Sequence, residues 1–348
     1  MKNYIAAIGA TLLLAACGGS TPTEVPTDSV IIGVNYVGAT VADLEQTAKL
    51  YGDAVDLKSV DQSPISGSTQ LDAIAGREGV EVQTMTLRST NAQIRFMQFV
   101  APSLAAQSTA PMDVQGPGIA HVCYQVNSKT QAYQKLLAGG ADYIGDKEMV
   151  HLNPKNPVYY AYARDRDGLV AEVEHVDVAK LELPEPPKNS YRIRQVSLAT
   201  PNIDRLVDFY AAFLNQHEPR RVGQWFSVSG EKVDKVSGLP GSELEMAWFQ
   251  IRNLELEIFQ YHSHPTEDVE TPRPVDALGY NMIVFDVSDM QAARKRLVDA
   301  GGTVVTEPGP MDGGQIMFGR DPDGNLLGLQ KLDKASVFSS SNFADNGI

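Results

Sequence analysis

The sequence has 348 residues, a length typical of about two domains, and its formal net charge is −14. An acidic chain repels nucleic acid and anionic lipid headgroups, so we expect neither to bind directly to the protein surface. The sequence also lacks a phosphate-cradling glycine loop, a Gly-x-Ser-x-Gly elbow and a His-Glu-x-x-His zinc motif.

The first residues have the pattern of a targeting segment. Lys2 supplies a positive charge, residues 4–14 form an apolar run too short to span a bilayer, and Leu14-Ala15-Ala16-Cys17 follows. This last motif resembles the lipobox of bacterial lipoproteins. We therefore predict a lipoprotein signal peptide over residues 1–16. The alternative is an ordinary signal peptide with a chance cysteine.

The lipobox resemblance implies that Cys17 is lipidated and becomes the new N-terminus. Residues 17–29, rich in Ser, Thr and Pro, are then a flexible tether. In a cell with two membranes, Gly18 resembles the signal for the outer membrane, facing the periplasm. We thus expect a protein of the bacterial cell envelope, held to the membrane by its lipid. Cys123 is then the remaining thiol, so no disulfide within the chain is expected.

A repeated signature sets the architecture further along the chain. Residues 164–168 (RDRDG) return as residues 320–324 (RDPDG), and an apolar run follows each copy. A strand-like segment and a helical segment ending in paired glycines precede each copy, because glycine adopts the left-handed conformation at helix ends without steric cost. Fixed repeats of this kind indicate repeated structural modules.

Related strand and helix segments begin at Tyr36 and Gln195, so the chain contains four modules in two pairs. The predicted boundaries are a first domain at 30–180 with modules one and two, a linker at 181–190, a second domain at 191–334 with modules three and four, and a C-terminal tail at 335–348.

These modules resemble the vicinal oxygen chelate superfamily, which includes glyoxalase I, bleomycin-resistance proteins and extradiol dioxygenases. The resemblance implies an α+β fold class, with tandem domains built from four βαβββ modules. It also implies that two paired modules form a cup around a divalent metal. The metal ligands are one residue on each first strand and a carboxylate on each closing strand.

The four modules differ at these ligand positions. Module two carries His121 and Glu172, and module three carries Gln195 and Glu257. These four residues resemble the ligand set of glyoxalase I. Pairing module two with module three would collect them in one site, whereas pairing within each half would leave two ligands per cup. A fully degenerate pair of sites is the alternative.

The other two modules carry residues that bind a hard divalent cation poorly. Tyr36 and Arg95 occupy the ligand positions of module one, and Met282 and Gly328 those of module four. Arginine is permanently cationic and the methionine thioether is a soft ligand. We therefore expect one metal site in the protein, with Zn, Ni, Co, Mn or Fe as the ion.

The resemblance implies a lyase or isomerase that removes a proton next to a chelated pair of substrate oxygens. Glu172 is the predicted catalytic base and Glu257 its partner. Each ligand residue also has a structural interpretation: Glu257, for example, alternates with Glu255 and could lie on a solvated strand face.

Two other functions remain open from the sequence. One is metal-free binding of a small molecule, as in bleomycin-resistance proteins, against aromatic residues such as Trp225, Phe226 and Trp248. The other is a structural envelope lipoprotein without chemistry. The expected partners are a small-molecule ligand and the membrane through Cys17, and the protein is expected to be a monomer or a homodimer.

Overall fold

The computed structural model describes residues 29–154, 157–177 and 190–347. The predicted signal peptide, Cys17 and most of the tether lie outside the described residues, as does most of the linker at 181–190. In the part of the chain that the structure describes, no helix combines the length and apolar composition needed to cross a membrane.

Four consecutive modules share one plan: a long first strand, a helix, and further strands. Module one consists of β1 (Ile31–Thr40), α1 (Leu44–Val55), β2 (Lys58–Ile65), α2 (Thr69–Ala75), β3 (Val82–Arg88) and β4 (Gln93–Phe99). The short helix α3 (Leu104–Ser108) follows it. Module two consists of β5 (Gly118–Asn127), α4 (Ala132–Ala138), β6 (Asp142–Ile144), β7 (Val150–His151), β8 (Val158–Arg164) and β9 (Val170–Val176).

The second half of the chain repeats this plan. Module three consists of β10 (Tyr191–Ala199), α5 (Ile203–Leu214), β11 (Arg220–Val222), β12 (Val228–Ser229), α6 (Glu231–Ser237), β13 (Glu243–Ile251) and β14 (Leu254–Tyr261). Module four consists of β15 (Gly279–Val287), α7 (Met290–Asp299), β16 (Thr303–Val304), β17 (Gly309–Met311), β18 (Gly314–Arg320) and β19 (Leu326–Lys331). Turns of 3-10 helix lie at Ser128–Thr130 and Ser340–Asn342.

Capping residues in the sequence mark where the helices begin and end. Asp43, Asn202 and Asp289 precede α1, α5 and α7, and each side chain accepts a hydrogen bond from the backbone N–H three residues further on. Such caps satisfy an N–H that has no partner within the helix. Gly140 and Gly301 follow α4 and α7 with a φ of 98°, a backbone conformation that glycine adopts readily.

The sheets join modules from different halves of the chain. Modules two and three form one sheet in the order β11-β13-β14-β10-β5-β9-β8-β6, which we call the central-module sheet. Modules one and four form the terminal-module sheet, in the order β16-β18-β19-β15-β1-β4-β3-β2. Module two thus pairs with module three, which is the arrangement that the four ligand positions favoured.

One apolar core connects the two sheets. It contains Val37 and Ile283 from the terminal-module sheet, Val122 and Val196 from the central-module sheet, and Phe213 from α5. Two smaller apolar clusters lie on the opposite faces of the sheets, one for each sheet. Each sheet therefore has one face in the shared core and one face that can line a cup.

The repeated Asp-x-Asp-Gly signature forms a turn that is anchored to a helix. Oδ1 of Asp165 accepts hydrogen bonds from the backbone N–H groups two and four residues later, and Asp321 repeats this pattern. The hydroxyl of Tyr51 on α1 donates to Asp165 at 3.2 Å, and that of Tyr210 on α5 donates to Asp321 at 3.0 Å. These bonds hold the turn before each closing strand against the helix layer.

Candidate metal centre

The four predicted metal ligands lie side by side in the middle of the central-module sheet. Glu257 is on β14, Gln195 on β10, His121 on β5 and Glu172 on β9, and these strands are neighbours in that order. All four residues are buried, with between 2 % and 8 % of their surface exposed. The structure therefore brings together one histidine, one glutamine and two glutamates from two modules.

The polar atoms of this group lie close to one another. Nε2 of His121 is 3.4 Å from Oε2 of Glu172 and 3.4 Å from Oε2 of Glu257. Gln195 donates from Nε2 to Glu257 at 2.7 Å and to Glu172 at 3.3 Å. Around a tetrahedral ion with bonds of about 2.1 Å, ligand atoms are roughly 3.4 Å apart. The separations around His121 are therefore those of atoms that could share one cation.

Strand bulges turn these side chains to the concave face. In the pairing of β10 with β5, Ile193 lies opposite Tyr124 and Gln195 opposite Cys123, so Arg194 is an extra residue. In the same pairing, Ser197 lies opposite His121 and Leu198 opposite Ile119. Ala120, directly before His121, is therefore a second extra residue. A bulge shifts the alternation of side chains by one position. Each first strand therefore carries a bulge immediately before its candidate ligand.

Burial and the charges of Glu172 and Glu257 shift the pKa of His121. Burial alone would lower the pKa of His121, but the hydrogen bonds and charges of Glu172 and Glu257 outweigh it and raise the pKa to about 9. Burial raises the pKa of Glu172, but the neighbouring His121 reverses the effect, and the pKa lies below its ordinary value. A proton on Nε2 of His121 therefore supplies positive charge at the place where a metal cation would supply it.

The donor set fits a divalent metal. Oε1 of Gln195 is buried, and no donor among the described residues reaches it. A half turn of the amide exchanges its oxygen and nitrogen and would place the oxygen where Nε2 now contacts the two carboxylates. The group would then offer an imidazole nitrogen, an amide oxygen and two carboxylates, which suit Zn, Ni, Co, Mn or Fe.

A cleft opens above the candidate ligands. It encloses about 820 Å³, including the solvent at its mouth, and Glu172, Gln195 and Glu257 form part of its wall. The rest of the wall is mainly apolar and aromatic, and includes Val158, Tyr162, Val233, Leu244, Met246 and Trp248. Helix α6 supplies Val233 and Val236 at one side. A buried polar cluster beneath an apolar cleft is the usual form of a small-molecule site.

Only one of the three aromatic residues proposed from the sequence lies in this wall. Trp248 on β13 is 5 % exposed and lines the cleft. Trp225 and Phe226 lie between β11 and β12 and are 85 % and 76 % exposed. These two residues are not part of the cleft wall, because the segment between these short strands points its aromatic side chains toward solvent.

A charged network beside the candidate ligands was not predicted from the sequence. Arg194, the extra residue of the β10 bulge, contacts Glu174, and its Nε donates to Glu255 at 3.2 Å. Glu174 is 1 % exposed and Glu255 8 %. The interpretation that Glu255 and Glu257 lie on a solvated strand face is therefore wrong, because that face is the concave one and both residues are buried.

Two further residues near the ligands were also missed. The hydroxyl of Ser197 donates to Oε2 of Glu257 at 2.6 Å. Cys123 is fully buried and lies with Glu172 and Glu174 in a second group of close ligand atoms. Both residues follow a candidate ligand by two positions, so the alternation of a strand was the signal that could have identified them.

The corresponding positions of the terminal-module sheet are occupied by a different arrangement. Arg95 donates to both carboxylate oxygens of Asp312 at 2.8 Å, and its guanidinium lies 4.6 Å from the ring centre of Phe338 in the C-terminal tail. Tyr36 and Met282 pack in the apolar cluster of this cup. Among the described residues, groups of His, Cys, Asp or Glu with metal-like spacing occur in the central-module sheet alone.

Comparison with known families agrees with this architecture. Residues 35–160 and residues 192–329 each match a family described as the Glyoxalase/Bleomycin resistance protein/Dioxygenase superfamily. The chain belongs to this superfamily. The two matches confirm the resemblance drawn from the sequence and the α+β tandem fold. The first match covers module one and module two as far as the start of β8, and the second covers modules three and four, whereas each sheet takes one module from each half.

Solved structures share the fold of this superfamily member over most of its length. Glyoxalase I from Zea mays is 17 % identical and superimposes with a TM-score of 0.56, covering 86 % of this chain and 92 % of the maize chain. A candidate dioxygenase from Bacillus subtilis is 12 % identical with a TM-score of 0.57, covering 87 % of this chain and 86 % of its own. A comparison with curated proteins gives no significant match. At these identities the likeness establishes the fold.

Proposed function

We propose that this superfamily member is a metal-dependent lyase or isomerase of glyoxalase type. Its substrate would be a small molecule with oxygens on neighbouring carbons. The observation that carries the proposal is the convergence of His121, Gln195, Glu172 and Glu257, the last three of which line one cleft. When bound, a divalent cation would polarise a substrate carbonyl and stabilise the negative charge that develops on its oxygen.

Glu172 is the better placed of the two carboxylates to act as the base. Oε2 of Glu257 accepts short hydrogen bonds from Gln195 and Ser197, whereas Glu172 accepts the longer bond from Gln195 at 3.3 Å. Glu172 is therefore held less firmly. A carboxylate beside a metal cation stays ionised near neutral pH, so it can accept a proton. It would take the proton from one substrate carbon and return it to the neighbouring carbon.

Metal binding is the first test of this proposal. The chain from Ser29 onward, loaded with Zn²⁺ or Ni²⁺, is expected to bind one ion, measured by elemental analysis and calorimetry. Glu172→Gln and Gln195→Ala should each weaken binding by at least about tenfold. Gln330→Ala, which removes a buried glutamine from the other sheet, is the matched control and should bind metal as the unmodified protein does. Unchanged binding in both site variants would refute the metal site.

Proton transfer is the second test. A protein that exchanges a C–H proton should incorporate solvent deuterium into the carbinol position of 2-hydroxyacetophenone, followed by proton NMR in D₂O. Glu172→Gln should abolish the exchange. If metal binds in the expected ratio and neither this compound nor aliphatic hydroxyketones exchange, the isomerase proposal fails although the metal site remains.

Metal-free ligand binding is a second candidate function. The observation that favours it is the pKa of about 9 at His121, because an imidazolium between two carboxylates completes the cluster without a metal. This candidate predicts that a chelator leaves ligand affinity in the cleft unchanged. The first proposal predicts that the chelator removes it.

We also propose that the protein is exported and anchored to the envelope of a bacterium by lipid on Cys17. The motif Leu14-Ala15-Ala16-Cys17 supports this location. Metabolic labelling with palmitate, followed by fractionation, tests it. The unmodified protein should carry label in the membrane fraction, and Cys17→Ser should carry none. Equal labelling of both would contradict the anchor.

A further inference from the structure

We infer that the cleft selects an uncharged, largely apolar substrate and discriminates against anionic conjugates. This inference rests on the proposed function for the pair of substrate oxygens, and it extends that function by naming the charge and polarity of the rest of the molecule. It is carried by the charges that line the cleft, by the bonding of the nearby arginines, and by the apolar wall.

The lining of the cleft has no excess of positive charge. Among the described residues that line it, the carboxylates are Glu172, Glu174 and Glu257, and the guanidinium is Arg194. A divalent cation together with Arg194 would balance the three carboxylates. A substrate carboxylate would then enter a poorly solvated site already balanced in charge, which is costly.

The guanidinium of Arg194 is already paired with carboxylates of the protein. Its guanidinium contacts Glu174 and donates to Glu255, and the residue is 6 % exposed. Turning it toward a substrate anion would leave these buried carboxylates without their partner, and breaking a buried ion pair is strongly unfavourable. Arg220 is also engaged: its guanidinium lies 4.1 Å from the ring centre of Trp248 and 3.7 Å from Glu255.

The remaining wall suits an apolar group, and a flat one in particular. Val233 and Val236 of α6 lie on one side, and Tyr162, Leu244 and Trp248 contribute further apolar surface. A neutral ligand with a flat apolar body would cover this wall, whereas a charged group would lose its hydration there.

Fluorescence of Trp248 can test this inference directly. The chain contains two tryptophans, and Trp225 is 85 % exposed, so Trp225→Phe leaves Trp248 as the single reporter. The metal-loaded variant is titrated with 2-hydroxyacetophenone, which is neutral, and with phenylglyoxylate, which has the same ring and an anionic carboxylate. Hydroxyacetone, which lacks the ring, reports the contribution of the apolar wall.

The neutral aromatic probe should bind at least about tenfold more tightly than the anion, because the anion meets carboxylates that are already balanced. It should also bind more tightly than hydroxyacetone, which buries less apolar surface. Equal or tighter binding of phenylglyoxylate would overturn the inference, as would failure of 2-hydroxyacetophenone to bind.

A charge variant should weaken the preference for the neutral probe. Glu174→Gln removes one partner of Arg194, so the affinity for phenylglyoxylate should rise about tenfold while that for 2-hydroxyacetophenone changes little. Glu255→Gln repeats the test from the other partner, and circular dichroism checks that each variant folds. If neither variant folds, the comparison of probes in the Trp225→Phe protein decides. No gain for the anion in a folded variant counts against the inference.

These outcomes separate the inference from the proposed function. Neutral probe binding that persists when elemental analysis finds no metal refutes the metal-dependent activity and leaves the substrate preference intact. Stoichiometric metal with tighter binding of the anion refutes the preference and leaves the metal site intact.

Discussion

His121 and Gln195 occupy equivalent positions on neighbouring antiparallel strands, each directly after a strand bulge. β5 and β10 begin modules two and three, and the bulged residues are Ala120 and Arg194. Each ligand position also has a glutamate partner on the closing strand of its own module, Glu172 or Glu257. The candidate centre thus has an approximate twofold relationship within one chain, broken mainly by the choice of histidine at one position and glutamine at the other.

This relationship predicts that the two residues can be exchanged. His121→Gln alone should weaken Zn²⁺ binding by roughly ten- to a hundredfold, because an amide oxygen is a poorer zinc ligand than imidazole. Adding Gln195→His should restore most of the affinity, since the imidazole returns at the equivalent position. Titration calorimetry of the single and double variants measures both steps. A double variant as weak as the single one would show that the two positions are not equivalent.

The terminal-module sheet leads to a second prediction, on stability. Arg95 and Asp312 are paired and almost fully buried, so Asp312→Asn would leave a guanidinium without its counter-charge. We expect a loss of about 3–5 kcal/mol in the free energy of unfolding, measured with denaturant. Asparagine is the suitable replacement because Asp312 has a φ of 55°, which asparagine tolerates.

The control for this variant is an exposed ion pair. Asp53→Asn breaks the contact between Lys49 and Asp53 on the surface of α1, and such pairs contribute at most about 1 kcal/mol. Metal affinity should be unchanged in both variants, since neither residue belongs to the central-module sheet. A loss below 1 kcal/mol for Asp312→Asn would mean that Arg95 finds water or another acceptor.

The repeats made the fold and the ligand positions predictable. Four copies of one pattern located the first and closing strands, and the resemblance to the superfamily then assigned His121, Gln195, Glu172 and Glu257 to its ligand positions. Their joint presence in two modules also favoured the pairing that the structure has. The sequence alone places each of these residues on a strand, because each lies in an apolar, strand-like run.

The polar contacts around the ligands could not be predicted in the same way. Arg194 faces the cleft because a bulge adds one residue to β10, and a one-residue insertion is invisible until the partner strand is known. Asp312 reaches Arg95 across a separation of 217 residues. Burial of the glutamate face depends on the curvature of the sheet and on α6 above it. These features arise from tertiary packing between distant segments.

Asp165 predicts a dependence of stability on pH. Burial raises its pKa to about 7 despite hydrogen bonds from the following backbone and Tyr51, whereas an unfolded aspartate titrates near 3.8. The folded state therefore holds the proton more tightly. The resulting stabilisation is fully present below about pH 4 and is lost as the pH rises to about 7, by up to ~4 kcal/mol.

Asp165→Asn cannot titrate and should remove this contribution. Relative to the variant, the unmodified protein should lose stability between pH 4 and pH 7, measured by denaturant unfolding at each pH. Asp321→Asn should behave in the same way, because burial also raises the pKa of Asp321 to about 7. The exposed control Asp299→Asn should leave the slope unchanged. Parallel curves for Asp165→Asn and the unmodified protein would show that the carboxyl stays ionised.

Gly145 leads to a last prediction, on the contact that joins modules two and three at the cleft. It follows β6 with a φ of 72°, and a Cβ added there would clash with the carbonyl oxygen of Lys235 on α6. Gly241 has the same φ of 72° but no atom within 4 Å of an added Cβ. In both variants the alanine must adopt the left-handed backbone conformation, which destabilises the folded state by about 1–2 kcal/mol.

The difference between the two variants therefore isolates the packing of α6 against module two. Gly145→Ala should be less stable than Gly241→Ala by at least ~1 kcal/mol, since the backbone carbonyl cannot rotate away as a side chain could. Because α6 carries Val233 and Val236 of the cleft wall, Gly145→Ala should also bind 2-hydroxyacetophenone more weakly. Equal stability and equal affinity in the two variants would mean that α6 is free to move and that the cleft does not depend on this contact.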